Sequence, residues 1–88
     1  MEFNAIKEIL LELINQTFEK EITDISVLEN VDLINFLGMD SIQFIELVVE
    51  IETRFDILID EALLNFETFC NFNKIVKVIQ ISLSNHKQ

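Results

Sequence analysis

Gly38-Met39-Asp40-Ser41-Ile42 is the stretch on which the reading of this chain turns. A turn residue, an acid and a hydroxyl stand directly before a strongly apolar periodic run, so a helix is expected to open at Ser41 and to end near Phe55. Gly38 supplies the turn, and Asp40 or Ser41 the cap. Gln43, three places after Asp40, has the spacing of a capping box with Asp40 as the cap. In that arrangement the Ser41 hydroxyl is left free at the amino end of a helix, where a phosphate is favoured by unpaired N–H groups and by the helix dipole.

On a wheel at about 100° per residue the apolar side chains of this helix fall into two stripes. Phe44, Leu47, Val48, Ile51 and Phe55 form a wide one, assigned to the core. Ile42, Ile45 and Val49 form a narrower one, bordered by Glu46, Glu52 and Asp56. A core needs only one stripe. The second either packs against a neighbouring segment or is a partner surface that begins beside Ser41, an apolar strip ringed with carboxylates.

Length and charge narrow the function. Eighty-eight residues suffice for one core but not for a deep catalytic cleft and its scaffold, so the expectation is a single domain over 1–88 and no enzyme. Half the residues are apolar, with one Gly and no Pro, which favours a folded, mostly helical chain. A net charge of −10 repels nucleic acid and anionic membranes and is complemented by a basic protein partner. Cys70 stands alone, excluding an internal disulfide and a cysteine-built metal site and fitting a reducing cytosol. Residues 1–17 are too charged for a signal peptide, and no apolar run approaches the ~18 residues of a membrane span, so a cytoplasmic location is expected.

Along the chain, Phe3, Ile6, Ile9, Leu10, Leu13 and Ile14 mark an amphipathic first helix ending near Gln16. Residues 17–37 lose the period but keep many apolar side chains, which reads as a long ordered connection pinned to the core, with room for a helical turn or two and a local turn at Asn30-Val31-Asp32. After the central helix, a brief helix is expected from Asp60-Glu61 to about Phe66, then a link over 67–70. Asn71 caps a last helix from Phe72 to about Leu83, its Phe72, Ile75, Val76, Ile79 and Leu83 facing inward; 84–88 read as a flexible tail and 3–83 as the core. The fold class is all-α: a small four-helix bundle of three longer helices and a short third one, with a long ordered loop between the first and second.

Most chemistry is excluded by inventory. No calcium loop, phosphate loop or zinc set is present, so no metal site is expected. His86 is the sole histidine and lies at the end of the chain, which leaves Ser41 without a base, and Cys70 has no basic neighbour in sequence to activate it. Glu46, Glu50 and Glu52 read as a solvated helix face rather than as acid–base groups. No catalytic residue is assigned.

The run from Asn30 through Leu37-Gly38-Met39-Asp40-Ser41-Ile42, with Glu46-Leu47 and Glu52-Thr53-Arg54-Phe55-Asp56-Ile57 after it, resembles an acyl or peptidyl carrier protein over about residues 3–83. The resemblance implies that Ser41 carries a covalent 4′-phosphopantetheine arm, taken from coenzyme A by a magnesium-dependent phosphopantetheinyl transferase, and that Asp40 helps to present the serine. It further implies a monomer that bears acyl or aminoacyl thioesters between a loading ligase and downstream synthases or transferases with basic surfaces. Ile42, Ile45, Glu46, Val49, Glu52 and Asp56 would meet those partners. Gln43 stands where fatty-acid carriers commonly have an acid, and Asp60 where they tend to have Pro. The second half is similar to D-alanyl and stand-alone aminoacyl carriers, which usually lack a glycine like Gly38; fatty-acid, polyketide, peptide and D-alanyl cargo all stay open. The rival reading is an acidic inhibitor or immunity-type helical protein, although such proteins usually place tyrosines on the blocking face and this chain has none.

Overall fold

The computed structural model describes residues 1–86. Three long helices make the frame: α1 (Phe3–Phe18), α4 (Ser41–Phe55) and α6 (Phe72–His86). The first connection carries two five-residue helices, α2 (Ile25–Glu29) and α3 (Leu33–Leu37), and the second a 3-10 turn (Glu61–Leu63) and the short α5 (Phe66–Phe69). No strand occurs among the described residues, in keeping with the all-α expectation.

Helix α1 lies against both α4 and α6. Its Ile6, Leu10, Leu13 and Ile14 are buried with Leu47, Val48, Ile51 and Phe55 of α4 and with Phe72, Ile75, Val76 and Ile79 of α6. Each fully buried aliphatic or aromatic side chain is worth roughly 1.5–3 kcal/mol, which makes this stripe-on-stripe contact the main source of stability. On α6 the buried face is broader than the expected i, i+3, i+4 stripe, taking in Val78 and Ser82, and the helix runs on through His86. The expected tail residues Lys87 and Gln88 lie outside the described residues.

The connection over residues 19–40 is ordered by named contacts. Glu19 ends α1 in the left-handed region (φ 54°). The Asn15 side chain then clamps the returning chain from both sides, its Nδ2 donating to the Ile22 carbonyl (2.9 Å) and its Oδ1 accepting from the Ile22 N–H (3.0 Å). Asp24 and Asp32 cap α2 and α3, and the Leu33 N–H donates to the Cys70 carbonyl (2.8 Å), fixing the start of α3 to the end of α5. Leu28, Leu33, Leu37 and Met39 are buried beneath. The helical turns allowed for in this loop are therefore two capped helices.

The short third helix is displaced from where the sequence placed it. Asp60 caps only a three-residue 3-10 turn, whereas Asn65, whose Oδ1 accepts from the Thr68 N–H (2.8 Å), opens α5 in the stretch expected to be a link. The reason is burial: Phe69 gives α5 an anchor in the core, while the 3-10 turn buries no side chain fully.

Candidate functional site

Ser41 stands at the first position of α4, and the backbone on both sides explains why. Gly38 ends α3 in the left-handed conformation (φ 64°), which a side chain would disfavour, and the Met39 N–H returns to the Ile34 carbonyl (2.9 Å). Asp40 is extended, and its carboxylate accepts from the Gln43 N–H (2.8 Å) while Gln43 Oε1 accepts from the Asp40 N–H (3.3 Å). The capping box is therefore built from Asp40 and Gln43, and Ser41 is left out of it. Ser41 is exposed, and among the described residues no side-chain hydrogen bond uses its Oγ. The Phe44 N–H is taken by the Asp40 carbonyl (2.9 Å), so the open donors of the first turn are those of Ser41 and Ile42.

From this end the second stripe runs down α4 in the open. Ile42, Ile45 and Val49 are 70%, 59% and 50% exposed. Ile45, Glu46, Val49 and Glu50 line a shallow depression together with Thr17 of α1. Lower down, Val49, Glu52, Thr53 and Asp56 line an open groove with Ile57, Leu58, Ser82 and Asn85, between the carboxyl-terminal halves of α4 and α6. Arg54, the one cation of α4, pairs with Glu12 of α1 (2.6 Å), which leaves the strip acidic.

The two remaining expected partner residues sit differently. Asp56 is exposed and takes the left-handed conformation (φ 56°) that ends α4. Glu52 is half-buried and turned toward the protein itself: its Oε2 accepts from the Ile59 N–H (2.9 Å), and its carbonyl accepts from the Ile57 N–H (3.0 Å). Phe44, assigned to the core, is only half-buried, held between the rings of Phe66 and Phe69. Sequence reading passed over Leu58, 84% exposed between the buried Ile57 and Ile59. Its signal was the in–out–in alternation of an extended segment, hidden inside an all-apolar triplet.

Cys70 is half-buried, with Sγ directed at the Glu67 carbonyl (3.2 Å). Among the described residues no group of three or more His, Cys, Asp and Glu side chains could hold a metal ion. Among the same residues no helix is long and apolar enough to cross a membrane.

What this arrangement offers chemically is an exposed primary hydroxyl beside two unpaired backbone donors. A phosphodiester on Ser41 Oγ would meet those donors without displacing any existing bond, a gain of about 0.3–1 kcal/mol at an exposed helix end. Residues 8–79 match the family model described as "Phosphopantetheine attachment site". The D-alanyl carrier protein of Streptococcus suis (strain 98HAH33) is 32% identical over 71 residues, covering 81% of this chain and 86% of that protein. No solved structure matches.

Proposed function

Since this chain belongs to the phosphopantetheine-attachment family, whose cofactor is a covalently bound 4′-phosphopantetheine, we propose that it is a carrier whose arm is attached at Ser41 and whose cargo is an aminoacyl group held as a thioester. The observation that carries the assignment is the free Ser41 hydroxyl on the first residue of α4, with the neighbouring Asp40 committed to the cap. A phosphopantetheinyl transferase would supply the arm. Ser41 Oγ bonds to the phosphorus that bears the pantetheine, the P–O bond to 3′,5′-adenosine diphosphate breaks, and the hydroxyl proton leaves with a base of the transferase. The arm brings its own thiol, so the protein needs no reactive cysteine, and Cys70 is correspondingly occupied with a backbone carbonyl.

Asp40 acts through geometry, since its carboxylate fixes the first turn and so the direction of Ser41. Ile42, Ile45 and Val49, flanked by Glu46 and Asp56, form the surface that the transferase, a loading ligase and downstream enzymes would cover. Apolar contact supplies affinity there, and the carboxylates steer basic partners. The aminoacyl cargo is supported by the similarity to the D-alanyl carrier. In this reading the chemistry belongs to the partners, and the chain presents the substrate.

The test is intact mass after incubation with coenzyme A, magnesium and a broad-specificity transferase. One arm is added to the wild type and none to Ser41→Ala, which keeps its helical signal because Ser41 contributes no bond to the cap. Wild-type protein that stays unmodified with several transferases overturns the carrier reading. Intact mass from the native host, read for an aminoacyl rather than a fatty acyl increment, tests the cargo.

A further inference from the structure

Leu58 combines two properties that seldom occur together: it is among the most exposed of the large apolar side chains, and its backbone is firmly held. The chain reverses after α4 on a single residue. Glu52 takes the N–H of Asp56 and of Ile57 on its carbonyl, and the N–H of Ile59 on its carboxylate (2.9 Å). Ile57 and Ile59 on either side of Leu58 are buried, at 4% and 6%. Leu58 is thus pinned in an in–out–in segment, and its side chain cannot fold back onto the core without breaking the Glu52–Ile59 bond or lifting an isoleucine out.

A fixed apolar side chain in water is an anchor already in its bound form, since docking it costs no further ordering of the loop. It shares one groove with Val49, the last residue of the exposed stripe that begins beside Ser41. At 1.5 Å per residue, α4 puts Val49 about 12 Å and its own end about 21 Å from Ser41 along the axis. A protein interface of ordinary size, roughly 800 Å² a side, spans that distance. The surroundings are acidic, with Glu50, Asp56, Asp60 and Glu61 exposed and α4's Arg54 turned to Glu12.

We propose that Leu58 is an anchor for the enzyme that installs the arm: its side chain enters an apolar socket rimmed by Lys or Arg on the transferase, and Glu52 is the positioning residue that holds it out. This rests on the carrier reading above, in which that enzyme must dock across α4 to reach Ser41. It assigns Glu52 a task different from meeting a partner's cation. Its carboxylate acts as a hydrogen-bond acceptor inside this chain.

The experiment measures KM and kcat for the carrier in phosphopantetheinylation by one broad-specificity transferase, followed by intact mass, on wild type, Leu58→Ala, Glu52→Gln and Glu52→Ala. Leu58→Ala should raise KM about five- to tenfold with kcat nearly unchanged, since truncating a central anchor commonly costs that much. Its melting temperature should not move. Glu52→Gln keeps an amide oxygen for the Ile59 N–H and should stay within about twofold of wild type, whereas Glu52→Ala should follow Leu58→Ala. Equal KM for Leu58→Ala and wild type overturns the proposal and leaves the carrier reading intact. Glu52→Gln as impaired as Glu52→Ala overturns the positioning role in favour of a direct charge contact. Failure of the wild type itself to take an arm overturns the carrier reading and this proposal with it.

Discussion

Phe44 and Phe66 meet edge to face, their ring centroids 5.1 Å apart and their planes at 78°, and Phe69 meets the same Phe44 ring at 5.1 Å and 75°. Phe44 lies three residues after Ser41, so these two contacts tie the first turn of α4 to α5. Edge-to-face pairs contribute about 0.5–1.5 kcal/mol each beyond their burial. Phe44→Leu, which keeps an apolar side chain but removes the ring, should therefore cost about 1–3 kcal/mol. Amide exchange should speed up over residues 66–69 more than elsewhere. Unchanged exchange there would mean that α5 is held by Phe69 in the core alone.

The two stripes of α4 should separate in mutation. Leu47 is fully buried, so Leu47→Ala is expected to cost about 2–5 kcal/mol, a large share of the stability of so small a domain. Val49→Ala, at a half-exposed position, should change stability by only about 0.5 kcal/mol while slowing the loading of the arm. Urea melts run beside a loading assay make the comparison. A Val49→Ala protein that is stable and loaded at the wild-type rate would remove that residue from the partner surface.

Charge reversal at Glu46 addresses steering. Glu46 is exposed beside Ile45 and Val49, and among the described residues no salt bridge engages it. Glu46→Lys should lower the association rate with a basic partner and flatten its dependence on salt, with the helical signal intact. Stopped-flow association at several ionic strengths gives the slope. A slope equal to that of wild type would place the steering charge elsewhere.

Acid should weaken α2 through its cap. Asp24 Oδ1 accepts from the Ser26 hydroxyl (2.7 Å) and from the Ser26 N–H (3.0 Å), and these two bonds, the hydroxyl's the larger effect, hold the carboxyl below its ordinary 3.8. A carboxyl with a lowered folded pKa stabilises the fold above its unfolded value. That contribution is lost as pH falls below about 3.8 through the folded value, so α2 should fray in that window and not near neutrality. Asp24→Asn, still a good cap, should retain α2 at neutral pH and remove this acid-dependent step, whereas Asp24→Ala should weaken α2 at every pH. Amide exchange of residues 25–29 against pH reads the difference.

Much of this molecule was legible in the sequence because its determinants act over three or four residues. The Asp40–Gln43 box, the left-handed Gly38, the Asn71 cap of α6 and the two stripes of α4 all follow from local geometry, and each is present in the structure. The free serine could be inferred the same way, since the capping spacing leaves the Ser41 hydroxyl without a local partner.

The tertiary structure decided the rest, where the partner lies farther along the chain or where competing local signals are equal. Asp60 and Asn65 are both good caps, and only the burial of Phe69 makes the second open a helix while the first opens a single turn. The five-residue helices α2 and α3 are too short to show a period, and they stand because Leu28 and Leu33 reach the core and the Leu33 N–H finds the Cys70 carbonyl. Glu52 could not be told from Glu46 by helical position, since both border the exposed stripe; folding back the segment after Phe55 brings the Ile59 N–H within 2.9 Å of one carboxylate and leaves the other in water. A capping pattern fixes a neighbour's geometry through covalent connection, whereas a hydrogen bond across seven residues exists only once the core has set where the chain returns.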